Sequence, residues 1–174
     1  CFPRFDAASI FGRLLDEEGG HWSIRPTAPY RVRRRYLPRT LVLQTEFETD
    51  GGRVLVEDLL AVGPNEHGHE LGAASPHALL RRVRGLAGCV ALAIEYAPRP
   101  EYGLVVPLLT HDDGSILGRG GASRLRLSTP LRLALDDGTA RGELTVAAGD
   151  EAPFALQYVS AAETRPTAWS PAAN

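Results

Sequence analysis

The amino-acid sequence predicts an all-β fold, an antiparallel β-sandwich with one short helix near the N-terminus. Apolar residues alternate with polar ones in many short runs, which is the pattern of strands with one buried face. Acidic turns that contain glycine separate these runs at short intervals, as in antiparallel sandwiches. The 174 residues, 44% of them hydrophobic, suffice for one domain with a core and leave no room for a second.

The predicted helix is the first element along the chain. Asp6 is a suitable N-cap, and Gly19-Gly20 ends the segment. Between them, large apolar residues recur at helical spacing: Ile10, Phe11, Leu14 and Leu15. Almost everything after this segment is predicted to be strand, turn or loop.

Two strands are predicted next, over residues 21–25 and 30–37. The second carries a basic run flanked by tyrosines: Tyr30, Arg31, Arg33, Arg34, Arg35 and Tyr36. Such a run could bind an anionic surface. The net charge of −2 instead favours a sheet face paired with acids of a neighbouring strand, such as Glu46 and Glu48.

A β-hairpin is predicted over residues 40–60, where alternating apolar residues precede and follow the turn Asp50-Gly51-Gly52. After a polar loop over residues 63–76, strands are expected at 78–85 and 88–96, separated by Leu86-Ala87. The second of these is apolar on both faces, which predicts a central position. The remaining predicted strands cover residues 103–110, 115–117, 124–128, 131–135, 142–146 and 153–159.

The composition excludes several classes of function. All 19 basic residues are arginine, and the pI near 6.2 argues against a surface that neutralises nucleic-acid phosphates. The apolar runs are too short to span a bilayer. Cys1 and Cys89 are too few for a disulfide framework, so we interpret both as ordinary thiols and expect a cytoplasmic parent protein. The chain has no methionine and begins at Cys1, which predicts a fragment or a processed chain.

Motifs that could carry chemistry are weak. His67-Gly68-His69 with Glu66 and Glu70 could suggest a metal site, but further ligands at a defined spacing are missing and a solvated loop is favoured. No nucleophile signature surrounds either cysteine, and no phosphate-binding loop follows the glycines at 118, 120 and 121. We therefore expect no metal and no cofactor.

Adjacent acids occur in three places: Asp16-Glu17-Glu18, Asp112-Asp113 and Asp136-Asp137. Glycoside hydrolysis needs two carboxyl groups that face each other across the scissile bond, and neighbours on a turn point into water instead. These acids are interpreted as solvated turns, and the chain is predicted to contain no catalytic residue.

Several motifs resemble a known family. They are Cys1-Phe2-Pro3-Arg4-Phe5-Asp6 followed by Ile10-Phe11 and Leu14-Leu15-Asp16, the stretch from Tyr36 to Phe47, Val56-Glu57-Asp58, the run from Leu80 to Gly85, and the corner from Pro98 to Gly103. Together they resemble the trehalase-like N-terminal domain of bacterial glycoside hydrolase family fifteen, the glucoamylase and trehalase group. The resemblance covers residues 1–159. A short segment that usually precedes the position of Cys1 in that family, ending in a tryptophan-containing strand, is absent.

The resemblance implies a supersandwich-like β-sandwich over residues 1–159. Residues 160–174 are rich in Ala, Thr, Pro and Ser without periodicity, which predicts a linker or disordered tail. In that family the sandwich precedes an (α/α) barrel, whose two glutamates act as general acid and general base on an α-glucosidic bond with inversion. The barrel lies outside this sequence. The domain is then expected to be a non-catalytic accessory that packs on the barrel of an enzyme acting on trehalose, maltose-type oligosaccharides or related glucans.

Five residues are predicted to contact the barrel or lie near its substrate: Arg4, Phe5, Asp6, Arg99 and Tyr102. For Arg4 the alternative is an ion pair with an acid of its own domain.

Two other functions stay open at this point. One is an independent carbohydrate-binding module, although aromatics make up only 7% of the chain and most fall at core-facing positions. The other is a structural domain of a protein that has lost activity.

Overall fold

The computed structural model describes residue 4 and residues 6–63, 67–70 and 75–159. Within these residues the chain forms antiparallel strands and one 3₁₀ turn, Gly68–Glu70, which confirms the all-β prediction. The strands are β1 His21–Pro26, β2 Arg31–Tyr36, β3 Leu43–Thr49, β4 Gly52–Leu60, β5 Ala78–Ala97, β6 Leu108–Asp112, β7 Ser115–Gly120, β8 Ser123–Ser128, β9 Ala134–Asp136, β10 Thr139–Ala147 and β11 Glu151–Tyr158.

The two strands expected at 78–85 and 88–96 are one strand, β5, of 20 residues. Leu86-Ala87, expected to separate two strands, lies within β5, and glycine beside it lets the strand bend. Gly88 has a φ of +64°, and a side chain there would lie 2.2 Å from the carbonyl oxygen of Gly51. The register of β4 against β5 shifts beside this point, between Arg53 and Val54. Glycine therefore marks a bend within a continuous strand.

β5 joins the two halves of the sandwich. Along one edge its first half pairs with β4, and its second half pairs with β1. The first half also pairs with β11, and the second half with β10. One half of the fold continues as β2-β3-β4-β5-β11-β8-β7-β6, and the other contains β1, β5, β10 and β9. The central position predicted for residues 88–96 is confirmed by this pairing.

The core lies along one face of β5. Val90, Leu92, Ile94 and Tyr96 are buried, each no more than 3% exposed, while the intervening Ala91 is exposed. The second half of β5 is thus buried on one face, and its central place depends on pairing along both edges. The buried face packs with residues of the other strands into one cluster, which includes Trp22, Val54, Val83, Leu125, Leu127 and Phe154.

The predicted N-terminal helix is wrong. Residues 6–20 form turns, in which the amide of Gly12 donates to Gly19 O at 2.6 Å and that of Arg13 donates to Gly20 O at 3.1 Å. Ile10 is buried in the core and Phe11 packs against it, whereas Leu14 and Leu15 are 98% and 88% exposed. The four apolar residues therefore do not form the single buried face that helical spacing predicted. Without tertiary burial a helix this short is not stable in water.

Most other strands were predicted with small errors in their bounds. The hairpin over residues 40–60 is β3 and β4, β8 and β10 contain the predicted segments, and β11 covers all but the last residue of the segment predicted at 153–159. Residues 103–107 and 131–133 are loop instead of strand. The first of these loops lies among Pro98, Pro100 and Pro107, which lack the amide hydrogen that a strand ladder needs. Residues 64–66 and 71–74 of the predicted polar loop and the predicted tail, 160–174, lie outside the described residues.

The basic strand β2 pairs as predicted. Arg31 lies opposite Glu48, and Arg33 lies opposite Glu46. All six residues of β2 are exposed, as expected of an edge strand. Within the described part of the chain, no helix is long and apolar enough to cross a membrane.

Ile94→Ala should lower the free energy of unfolding by about 2–5 kcal/mol, because it leaves a cavity beneath the central strand. Chemical denaturation of the purified chain measures this. Leu41→Ala is the control, since Leu41 is 88% exposed and its loss should change stability by less than about 0.5 kcal/mol. Equal effects of the two changes would contradict the position assigned to β5.

Candidate functional site

Two loops lie side by side at one end of the sandwich. They are residues 9–20, which precede β1, and residues 98–107, which follow β5, and we call them the end loops. The amide of Arg99 donates to Ile10 O at 2.9 Å, and that of Tyr102 donates to Ser9 O at 3.2 Å. A side chain on Gly103 would lie 3.5 Å from the Cα of Gly19. Backbone contacts therefore hold the two loops together.

Arg99, one of the predicted contact residues, ties the second end loop to the β9–β10 turn. Its Nη1 donates to the carbonyl oxygens of Pro98 and Gly138, both at 2.9 Å. Its Nη2 lies 3.3 Å from the hydroxyl oxygen of Thr139. The fork geometry of a guanidinium suits such multiple bonds. Arg99 thus has partners within its own domain and stiffens the loop that carries Tyr102.

Tyr102 presents its side chain to solvent from a strained backbone. Its φ is +61°, that of Glu101 is +56°, and the Tyr102 residue is 66% exposed. Left-handed conformations cost residues other than glycine of order 1 kcal/mol or more each, and they persist only where the surrounding structure imposes them. Here the backbone bonds of the end loops impose them, so the position of Tyr102 is set by the fold.

Arg4 and Asp6 form an ion pair at the start of the described chain. Arg4 Nε donates to Oδ1 at 2.9 Å and Nη2 donates to Oδ2 at 2.6 Å. The hydrogen bond from Arg4 is the main reason why the pKa of Asp6 lies below its ordinary value. Asp6 is not an N-cap, because no helix follows it. The structure thus gives Arg4 an acid partner in its own domain, while Phe5 lies outside the described residues.

Arg81 connects the two halves of the fold, a role that the sequence did not reveal. From β5 its Nε donates to Asp58 Oδ1 of β4 at 2.5 Å, and its Nη1 donates to the carbonyl oxygen of Trp22 in β1 at 2.9 Å. The guanidinium carbon lies 4.4 Å from the centre of the Trp22 ring, within range of a cation–π interaction. Since Arg81 and Asp58 are largely buried, this cluster is a structural link between β1, β4 and β5.

A row of polar side chains, which we call the polar row, crosses the first half of the fold on the sheet face opposite to Arg81. It consists of Arg35, Gln44, Glu57 and Arg82. Arg35 donates to Gln44 at 2.9 Å, and Gln44 donates to Glu57 Oε1 at 2.8 Å. Arg82 then donates twice to Glu57 Oε2, at 2.9 and 2.7 Å. The row lies beside a groove of about 490 Å³, whose apolar lining comes mainly from Leu37, Val42, Leu59, Leu80 and Pro153.

Glu57 is the buried acid of this polar row, only 5% exposed. Burial raises its pKa, but hydrogen bonds from Gln44 and Arg82 and the nearby charges of Arg82 and Arg84 outweigh burial, so that the pKa is lowered. Both carboxylate oxygens are engaged by neighbouring strands. The side chain is therefore a structural anion, held ionised by its partners.

The adjacent acids at 112–113 and 136–137 lie at turns between strands, as the sequence predicted. Asp112-Asp113 connects β6 to β7, and Asp112 accepts a hydrogen bond from Arg126 at 2.5 Å. Asp136-Asp137 connects β9 to β10. His67 and His69 are exposed, while Glu66 and the Glu70 side chain are not described. Among the described residues, no group of three or more potential metal ligands comes together.

Comparison with known proteins identifies the family. A family model described as "Trehalase-like, N-terminal" matches residues 1–136, well over half of the chain. The chain belongs to the trehalase-like N-terminal domain family. Among the motifs that suggested this domain, Gln44, Glu57, Asp58, Arg81 and Arg82 lie in the polar row and the Arg81 cluster, so those positions of the motifs are structural.

The trehalase-like N-terminal domain has relatives in bacteria and archaea. It is 31% identical over 182 residues to trehalases of Mycolicibacterium smegmatis and Mycobacterium tuberculosis, an alignment that covers 91% of this chain. It is 34% identical over 128 residues to Trehalase 1 of Sulfolobus acidocaldarius, with 73% of this chain covered. The chain spans only 26% of the length of the two mycobacterial trehalases and 20% of the archaeal one.

Glu57→Gln should make the free energy of unfolding fall less steeply as the pH is lowered. Because the pKa of Glu57 is lower in the folded domain than its ordinary value of 4.5, its ionised form contributes stability that is present above that value and is lost as pH falls through the folded pKa. Denaturation between about pH 7 and 3 measures the slope. Glu143→Gln, an exposed change on β10, is the control. An unchanged slope in Glu57→Gln would contradict the role given to the ionised carboxylate.

Proposed function

We propose that this domain is a non-catalytic accessory domain of an inverting α-glucoside hydrolase, of the glucoamylase or trehalase type. It packs on the catalytic (α/α) barrel of the same polypeptide and helps to shape the mouth of the active site. The observation that carries the proposal is the match itself: a trehalase-like N-terminal domain that aligns with about a quarter of the length of two trehalases. The remaining length of those relatives is ample for a catalytic domain.

The chemistry of the described residues supports this assignment. Inverting hydrolysis needs two carboxyl groups about 6.5–9.5 Å apart, on either side of the bond, with room for a water molecule. The buried acid Glu57 is bound by Gln44 and Arg82, and Asp58 is bound by Arg81. These acids serve the fold, and the domain uses no cofactor in this proposal. The substrate is an α-glucoside or glucan bound by the parent enzyme, in the cytoplasm.

An independent carbohydrate-binding module is the alternative. Such modules bind sugars on exposed aromatic rings. In the described residues Trp22, Phe47, Tyr96 and Phe154 are buried, and the most exposed tyrosines, Tyr36 and Tyr102, lie on different elements. A row of stacking rings is therefore not formed by these side chains, and the accessory role is favoured.

The chain alone should release no glucose from trehalose, maltose or soluble starch, whereas the full-length parent should hydrolyse at least one of them. A coupled glucose assay on both proteins measures this. Asp113→Asn in the chain alone serves as a control, because Asp113 is an exposed turn acid and any trace activity should not depend on it. Turnover by the isolated chain that Asp113→Asn abolishes would contradict the accessory role.

Arg4→Ala should separate a contact with the barrel from a purely internal role. In the isolated domain it should change the free energy of unfolding very little, because the Arg4–Asp6 pair is exposed. If Arg4 also contacts the barrel, the full-length enzyme should lose activity or domain docking. Arg53→Ala, which removes another exposed pair, with Glu46, is the control and should change neither. Equal loss of stability in the domain and the full-length enzyme would rule out the contact with the barrel.

A further inference from the structure

A cleft opens between the two halves of the sandwich, where β1 forms the edge of one half and β2 the edge of the other. Its volume is about 320 Å³, within the range of roughly 300–1,000 Å³ that small-molecule sites occupy. We call it the edge cleft. The residues that line it include Trp22, Arg25, Tyr30, Arg34, Asp58 and Arg81.

The edge cleft carries an excess of positive charge. Arg25 and Arg34 are exposed, and neither forms a hydrogen bond or an ion pair with a described residue. Arg81, the third arginine of the lining, is bound to Asp58. Asp58 is the one acid among the described residues that line the cleft, so two positive charges are left without a partner.

The register of β2 directs Arg34 to the cleft. Arg34 lies opposite Thr45, on the same sheet face as Thr45 and Phe47, which are both buried. Arg33 lies opposite Glu46, on the other face. The remaining arginines of β2 are also at odd-numbered positions, so Arg34 is the one member of the basic run that lies on the face of the edge cleft.

The uncharged groups of the edge cleft suit a sugar ring. The ring of Tyr30 meets that of Phe47 edge-on, with centroids 5.1 Å apart, yet Tyr30 is 41% exposed. Asp58 accepts from Arg81 through Oδ1, whereas its Oδ2 accepts no hydrogen bond from the described residues. Ser23 and Thr45 add hydroxyl groups to the lining. A supported aromatic face beside hydrogen-bonding groups can hold a ring that carries hydroxyls.

We infer that the edge cleft binds a phosphorylated monosaccharide. Guanidinium groups match phosphate oxygens in geometry, and the charge of a phosphate monoester, about −1.5 to −2, balances Arg25 and Arg34. The sugar ring lies against Tyr30, and its hydroxyls donate to Asp58. A neutral sugar would leave both arginines without a partner, and inorganic phosphate would leave Tyr30 uncovered. The inference does not depend on the accessory role proposed above.

Titration calorimetry of the 174-residue chain at low ionic strength tests the ligand class. The probes are glucose 6-phosphate, glucose and inorganic phosphate, each titrated separately. Glucose 6-phosphate should bind at least about tenfold more tightly than either of the others, because it alone engages both the arginines and the ring. Its affinity should fall as salt is added, since exposed charges are screened.

Adjacent arginines on opposite faces of β2 provide a matched pair of variants. Arg34→Gln should weaken the binding of glucose 6-phosphate about tenfold or more, because it removes a charge-assisted contact with the phosphate. Arg33→Gln should leave the affinity unchanged, although it removes the same charge from an equally exposed site. Tyr30→Leu should lower the affinity for glucose 6-phosphate towards that for inorganic phosphate. Thermal denaturation verifies that each variant is folded.

Several outcomes would overturn the inference. Equal losses in Arg34→Gln and Arg33→Gln would mean that the basic strand attracts anions without a site. Inorganic phosphate that binds as tightly as glucose 6-phosphate would exclude a contribution from the sugar. Glucose that binds equally well would identify a neutral carbohydrate site instead, and absence of binding by glucose 6-phosphate would exclude the site altogether. The accessory role is tested separately, by release of glucose from the full-length parent.

Discussion

The bend of β5 at Gly88 is the constraint on which the rest of the fold depends. One strand can serve both halves of the sandwich only if it changes direction without losing its partners. At the bend the backbone stays paired, since the amide of Cys89 donates to Gly51 O and that of Ala148 donates to Gly88 O, both at 2.9 Å. Such close approach of three backbone segments leaves no room for a Cβ at Gly88. The buried row from Val90 to Tyr96 and the pairing of β1 both follow from this geometry.

Arginine carries the polar connections between the elements. Four arginines each donate two or more hydrogen bonds: Arg81, Arg82, Arg99 and Arg126. In Arg82, two nitrogens of the guanidinium donate to one carboxylate. In the other three, different nitrogens donate to separate residues. An ammonium group is a compact charge without this fork. All 19 basic residues of the chain are arginine, and these four use the fork of the guanidinium to hold the domain together.

The motifs that identify the family are mostly part of this framework. Glu57 and Asp58 from one motif meet Arg81 and Arg82 from another, and the ion pairs join β4 to β5. These residues are engaged internally, whereas the end loops present apolar side chains outward. The framework thus gives the domain its stability, and the end loops leave Leu14, Leu15, Tyr102 and Leu104 exposed.

The sequence by itself determined the strands, the hairpin turns and the family, because alternation of apolar residues and glycine-containing turns are local properties. It predicted Tyr102 as a contact residue only through the resemblance. The tertiary structure decided that residues 78–97 form one strand, since glycine permits a turn and a bend equally and only the neighbouring backbones select one. It also decided that Ile10 is buried while Leu14 and Leu15 remain exposed, because the segment folds as turns that bring only its first apolar residues to the core. The partner of each arginine was decided in the same way, by strands that are distant in sequence and adjacent in the sheet.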